Sequence, residues 1–392
     1  MSIPIESYQR FLPSPIGGAL LRELWAKHWD TGNHQHVEAL NAALGSTTGR
    51  RARNEDRVAF AQIFSRNSPA FCIGIVCDGV GGSEMGDAAA TIAVACVIDT
   101  LAAARKRVPL ALLLTEAVCN ADATVRKALD GRGSTTLSMF ALSSHGEFAA
   151  TNIGDSRLYS WAPGAPAMFK QVSTDDTLEN ELRILAVRDP TALAAHGLRG
   201  RLSQALGEPG REVQDLRVRV FGREQFPAGV ILGSDGAWKA DPLGFELIAK
   251  EAKGASDAVR RLLAFASWTG GHDNTSVLAI DDLARLFAEL SQTSSSAQVT
   301  LWLADQKFVV KDATELRTLP PDDQRTLLYE RDRQEQRVKR RPAIKRKPSS
   351  KPRPDEPELE LDLRAETREP EKPVSRPKLE ITFDDEPQKK AS

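Results

Sequence analysis

Residues 76–95 read VCDGVGGSEMGDAAATIAVA, an apolar run that ends on a bare acid, Asp78, before a glycine-rich turn and a small-residue segment of helical character. A single aspartate in such a place is ordinarily a turn residue, accepting hydrogen bonds from the amides that follow it. The pattern recurs in TNIGDSR (Asp155), VILGSDGAW (Asp235) and GGHDNTSV (Asp273), and RRARNEDRVAF places Glu55 and Asp56 just ahead of another strand-like run. Acids at the ends of so many apolar strands are hard to account for as turns alone.

Around these acids the chain alternates short strand-like runs with turns: RVAFAQIF, AFCIGIVC, STTLSMFAL, EFAATNIG, SRLYSWA, GVILGSDG and TSVLAI. Two long helical segments, GDAAATIAVACVIDTLAAARK and LALLLTEAVCNADATVRKAL, lie between strands in sequence. That order predicts β-rich layers covered by helices rather than a doubly wound parallel sheet. Residues 18–43 read as helical, with Trp25 and Trp29 one turn apart and a second apolar phase in HVEALNAAL, so residues 1–45 are expected to form a helical extension packed on the main domain. Residues 284–339 read as a linker with a small hairpin (VTLWLADQKFVV) and a polar helix. Residues 340–392 are rich in Pro, Lys, Arg and Glu and nearly free of aromatics. Such a composition buries too little apolar surface to offset its ordering entropy, so a disordered tail is expected.

The 392 residues suffice for a sizeable core, and 52 Lys and Arg against 53 Asp and Glu leave a net charge of -1, which gives no general attraction to nucleic acid or membranes. Cys72, Cys77, Cys96 and Cys119 fit neither a redox pair nor a zinc site and read as buried thiols, in keeping with a reducing cytoplasm. No segment has the N-terminal pattern of a secretory signal or the apolar length of a spanning helix.

Clustered carboxylates repel one another and lose hydration, so they persist only if protonated or neutralised by cations. An all-oxygen donor set without His or Cys favours hard divalent ions, Mg2+ or Mn2+, over zinc. Glycine beside the acids leaves room for ions and water to approach the backbone.

These segments, in order, resemble the metal-dependent Ser/Thr protein phosphatases of the protein phosphatase 2C family, in its bacterial form. RARNED, VCDGVGG, GSTTLSMFAL, ATNIGDSRLY, QVSTDDTLENEL, LSQALG, ILGSDGAWKAD and GGHDNTSVLAI each look like one of its successive motifs, over residues 46–283. The resemblance implies an α+β fold, a four-layer α/β/β/α sandwich with two central antiparallel sheets. It also implies two Mn2+ or Mg2+ ions, bridged by Asp78, contacted by the Gly79 carbonyl, held by Asp235 and Asp273, and reached by Glu55 through water. Asp155 with Asp235 matches the third-ion site of bacterial members, and Arg51, four residues before Glu55, matches the phosphate-binding arginine. A guanidinium grips two phosphate oxygens at once, which suits a phosphomonoester dianion. The implied reaction is hydrolysis of phosphoserine and phosphothreonine in proteins by a hydroxide activated between two metals. The implied partners are a phosphorylated protein and a cognate Ser/Thr kinase, with a monomeric catalytic domain. The alternative is a catalytically weak phosphatase fold serving as a binding or docking subunit.

Two positions depart from the family. Val80 stands where eukaryotic members carry a histidine that protonates the leaving group, and His272 is either a substitute or an ordinary loop histidine. TDDT, residues 174–177, replaces an Asp-His-Ser run in a supporting region. The arginines of the following flap, Arg183, Arg188, Arg199 and Arg201, suit either acidic substrate or plain solvation.

Overall fold

A computed structural model describes residues 5–311 apart from 13, 31, 66–67, 81–82, 105–107, 185–199, 212 and 292–296. Two short N-terminal helices, α1 (Glu6–Gln9) and α2 (Pro15–Ala26), precede strands β1 (Asn33–Val37), β2 (Ala42–Thr47), β3 (Arg57–Phe64) and β4 (Phe71–Cys77). Helices α3 (Gly86–Ala102) and α4 (Leu110–Leu129) lead to β5 (Leu137–Ser143), β6 (Phe148–Ile153), β7 (Arg157–Trp161) and β8 (Lys170–Gln171). After α5 (Leu178–Ile184) come β9 (Val220–Phe221), β10 (Gly229–Gly233), the short α6 (Asp235–Trp238), α7 (Pro242–Glu251), α8 (Ala255–Trp268) and β11 (Thr275–Ile280). Helix α9 (Leu283–Leu290) and the hairpin β12 (Gln298–Trp302) and β13 (Lys307–Lys311) complete the described chain.

The strands form a six-stranded sheet, ordered β1-β2-β11-β10-β7-β8, and a seven-stranded sheet, ordered β13-β12-β3-β4-β5-β6-β9. Neighbouring strands in both run antiparallel. Apolar side chains from the facing surfaces, among them Leu44, Phe60, Phe140, Leu158, Leu232 and Leu278, form one buried core. A second core lies between β3–β5 and helices α2, α3 and α4, and a third between the first sheet and α7 and α8. Both faces of each central sheet are therefore covered, which is why β4 and β5 are buried at every position instead of alternating. The expected four-layer α/β/β/α sandwich is observed. No helix among the described residues is long and apolar enough to cross a membrane.

The strand segments named above appear where expected. The helical reading of residues 18–43 holds only as far as Ala26: residues 33–47 form β1 and β2, paired from Asn33↔Ser46 to Val37↔Ala42. HVEALNAAL has a helical apolar phase, but Asn41 adopts the left-handed region at φ 46° and turns the chain back, and tertiary pairing overrides the local pattern. A boundary at residue 45 thus falls inside β2, a central strand. The hairpin of residues 298–311 is likewise no separate unit, since β12 pairs with β3 and extends the second sheet. The expected polar helix after it and the tail of residues 340–392 lie outside the described residues.

Helix α3 is buried along nearly its whole length, its alanines allowing α2, α4 and the sheet to pack closely around it. One buried acid on α3 fastens the N-terminal segment. The Asp99 carboxylate accepts the backbone amides of Ser14 (2.9 Å) and Gly17 (3.1 Å) and the Ser14 hydroxyl, supplying partners for amides at the start of α2 that have none within the helix. Asp99→Ala is expected to lower stability by about 2 kcal/mol. The check is a lower denaturant midpoint at unchanged slope, with new protease cleavage around α2.

Candidate active site

The acids converge because strands of both sheets end at the same edge of the sandwich. Asp78 follows β4, Asp235 follows β10 and opens α6, Asp273 precedes β11, Asp155 sits in the β6–β7 turn, and Glu55 and Asp56 precede β3. All seven residues singled out in the sequence, Arg51, Glu55, Asp78, Gly79, Asp155, Asp235 and Asp273, line one cavity of about 450 Å³.

Local hydrogen bonds fix the loops that carry them. The Asn274 side chain donates to the carbonyls of Thr48 and Arg53 (2.9 Å each) and accepts the Glu55 amide (2.8 Å), clipping the RARNED loop to the Asp273 loop. The Asp78 amide donates to the Thr136 hydroxyl (3.0 Å), and its carbonyl accepts the Thr136 amide (2.8 Å) and the Thr135 hydroxyl (2.9 Å). Gly79 has no space for a side chain: a Cβ would lie 2.5 Å from the Gly86 carbonyl carbon and 2.9 Å from Glu55 Cβ. Gly49, at φ 63°, lets the RARNED loop approach the Asp273 carbonyl, where a Cβ would lie 2.4 Å away. Beneath the acids the Ser234 hydroxyl donates to Asp56 (2.7 Å) and accepts the Ser276 amide (2.9 Å).

No family-level sequence profile matches the chain. Curated serine/threonine phosphatases of Listeria innocua and Listeria monocytogenes are each 27% identical to it, over 251 and 253 residues, covering 62% of this chain and 96% of theirs. Among solved structures, a serine/threonine phosphatase from Staphylococcus aureus superposes with a TM-score of 0.51 at 18% identity, covering 65% of this chain and 97% of that one. A bacterial serine phosphatase superposes with the same TM-score, 0.51, at 17% identity, covering 61% of this chain and 96% of that one. The chain is similar in sequence to bacterial Ser/Thr phosphatases and shares the fold of their solved structures.

In this cavity burial first, and neighbouring carboxylates second, raise the pKa of several of the acids. Burial, then the neighbouring Asp56, Asp235, Asp155 and Asp273, push Asp78 well above the usual carboxylate range. Burial lifts Asp56 from 3.8 to about 7, against the hydrogen bonds from Ser234 and Ser276, with Asp235 and Asp273 adding to the rise. Asp155 is lifted to about 6 by burial and by Asp235, opposed by Lys239. Glu55 and Asp273 are raised as well, chiefly by burial. An acid cluster in this state calls for positive charge.

Part of that charge is already in the chain. Arg51 donates to Asp273 (2.8 Å) and to the His272 carbonyl (3.2 Å), and Lys239 Nζ lies 2.7 Å from Asp235 and 3.8 Å from Asp155. Among the described residues no three acidic, His or Cys side chains are drawn together as a ready-made ion cage. The donor set nevertheless fits divalent cations: carboxylate oxygens without His or Cys, and a buried Asp56 oxygen, Oδ1, that has no hydrogen-bond partner.

Val80 lines the cavity and brings no proton donor, whereas the exposed His272 does not line it. Arg201 lines the cavity; Arg188 and Arg199, and the side chain of Arg183, lie outside the described residues. TDDT supports the Asp155 turn: Asp176 accepts the Gly154 amide (3.1 Å), and Asp175 holds Arg157 through two bonds of 2.9 and 2.7 Å. The cysteines are free. Burial pushes Cys72 up to about 12 and Cys96 to about 11, leaving both poor nucleophiles.

Asp56, Asn274 and Lys239 were not among the site residues expected from the sequence. The adjacent Glu-Asp pair pointed to Asp56, whereas nothing local marks Asn274 as a clip. Lys239 had a helical signal, since it stands four residues after Asp235.

The raised acids set a sign for stability. Between about pH 4 and pH 7 the folded state keeps protons on Asp56 and Asp155 that the unfolded chain has released, so their contribution to stability is lost as pH rises through that window. The melting temperature of metal-free protein is expected to fall across it. Asp56→Asn should flatten the fall, and Mn2+ at neutral pH should raise the melting temperature by binding the ionised acids. Scanning fluorimetry across pH, with and without Mn2+, reads all three effects.

Proposed function

We propose that the chain hydrolyses phosphoserine and phosphothreonine in proteins with the help of a pair of divalent cations, Mn2+ or Mg2+. The observation that carries the reading is the convergence of Glu55, Asp78, Asp235 and Asp273 on one cavity that also contains Arg51 and the Gly79 backbone. Asp78, Asp235 and Asp273 would hold the cations, the Gly79 carbonyl would add a neutral oxygen, and Glu55 and Asp56 would accept hydrogen bonds from water around them. The cations would supply a water of lowered pKa and offset phosphate charge.

The chain's own groups do the rest. Arg51, half exposed at the rim, orients the phosphoryl group by donating two N–H groups to nonbridging oxygens, for which it must exchange its bond to Asp273. Asn274 and Thr136 keep the acid-bearing loops in register, so the reacting groups need little rearrangement. Val80 leaves protonation of the departing serine or threonine oxygen to water, because no side-chain acid replaces the missing histidine at that position. A phosphorylated protein is the substrate, and a Ser/Thr kinase acting on the same protein is the natural counterpart of the reaction.

A second reading, a weak phosphatase fold used for binding, is favoured by one observation: Arg51 and Lys239 already engage Asp273 and Asp235. Turnover of p-nitrophenyl phosphate and of a phosphothreonine peptide with Mn2+ separates the two. On the enzymatic reading Asp78→Asn and Asp235→Asn each lose roughly 100-fold or more in kcat/KM, and Arg51→Ala raises KM for both substrates. Wild-type protein inactive with Mn2+ and Mg2+, or Asp78→Asn as active as wild type, would sink it.

A further inference from the structure

Lys239 is a cation built into the acid cluster. Its ammonium spans Asp235 Oδ2 at 2.7 Å and Asp155 Oδ2 at 3.8 Å, and it lines the same cavity. The placement follows from the backbone. The Lys239 amide donates to the Asp235 carbonyl (2.8 Å), so one helical turn sets the lysine stem beside the Asp235 side chain. That turn is itself confined: Gly236 lies against the Asn274 carbonyl, where a Cβ would come within 2.0 Å, and the Trp238 ring packs under the Arg157 guanidinium at 3.1 Å. Asp155 is held from the other side through the Gly154 amide bonded to Asp176. Two carboxylates on fixed turns, with the lysine rooted on the same turn as Asp235, define the gap that the ammonium fills.

Resting on the two-cation reading above, we propose that the Lys239 ammonium occupies the position between Asp155 and Asp235 as a covalently tethered cation, so that this phosphatase holds one divalent ion fewer than its acid set would otherwise accept. An ammonium offers one positive charge and three N–H donors. It balances Asp155 and Asp235 without exchanging with solvent, but it coordinates no water and presents no further ligand position. Asp155 is then a partner of Lys239 rather than a metal ligand, and the site keeps only the ions on the Asp78, Asp235 and Asp273 side.

The test counts ions. Full-length metal-free protein is titrated with Mn2+, with bound ions measured by calorimetry and free Mn2+ by electron paramagnetic resonance. The expected result is one additional Mn2+ per chain in both Lys239→Ala and Lys239→Met relative to wild type. The added ion should be lost again when Asp155→Asn is combined with Lys239→Ala, and Lys239→Arg should retain the wild-type count. Met keeps the length of the apolar stem, and circular dichroism verifies that each variant folds. A third Mn2+ ion bound by wild type overturns the proposal without recourse to any variant. Equal counts in wild type and both variants overturn it too: equal and above zero leaves the two-cation reading standing, whereas zero throughout removes that reading as well.

Discussion

Mutual repulsion among buried carboxylates is the constraint on which this molecule turns. Burial raises the cost of ionising Asp56, Asp78, Asp155 and Asp273, and neighbouring carboxylates, Asp235 among them in every case, add to it. A chain selected for stability alone would separate such groups or replace them with apolar side chains of similar size. Here both sheets deliver them to one edge of the sandwich, where only protons, resident side-chain cations or divalent ions can relieve the repulsion. The surrounding architecture supplies the rigidity needed to keep mutually repelling groups together.

That rigidity comes from three apolar cores and a few polar clips. The cores fix the strands; the clips fix the loops at their ends, where backbone groups run out of ladder partners. Asn274 satisfies three backbone groups of the β2–β3 loop from the loop that precedes β11, and Thr136 closes the backbone around Asp78. The N-terminal segment takes part as well: Asp30 accepts the Asn54 amide (2.9 Å), the Trp29 carbonyl accepts the Asn54 side chain (3.0 Å), and the Arg57 guanidinium stacks over the Trp29 ring at 4.6 Å. The residues after α2 therefore buttress the loop that carries Glu55, and α2 is tied to the core through Asp99.

Much of this was legible in the sequence because the informative residues sit at the junction of an apolar strand and a glycine turn. A strand buried on both faces reads as a continuous apolar run, and an acid at its end is conspicuous; Asp78, Asp155, Asp235 and Asp273 were visible for that reason. The reading failed where local pattern and tertiary pairing disagree. HVEALNAAL has apolar residues at helical spacing, yet β2 is needed between β1 and β11 in the first sheet, and the positive φ of Asn41 reverses the chain there. Asn274 was illegible for another reason: its role depends on Thr48 and Arg53, more than two hundred residues away in sequence.

Lys239 joins these two kinds of information. Its spacing from Asp235 is local, but the significance of that spacing arises only because the β6–β7 turn brings Asp155 to the other side of the ammonium. A lysine four residues after an aspartate on an exposed helix would be a weak, screened ion pair. The same pair at the mouth of a carboxylate cluster faces a different balance, since every anion nearby favours the ammonium and every divalent ion nearby disfavours it. Arg51 is under the same opposing influences at Asp273, and its side chain, like that of Lys239, is half exposed, but the Arg51 guanidinium has phosphate as an alternative partner. The two cations thus divide along a physical line: Arg51 can exchange a carboxylate for substrate, whereas Lys239 lies between two carboxylates and offsets charge that no substrate group would replace.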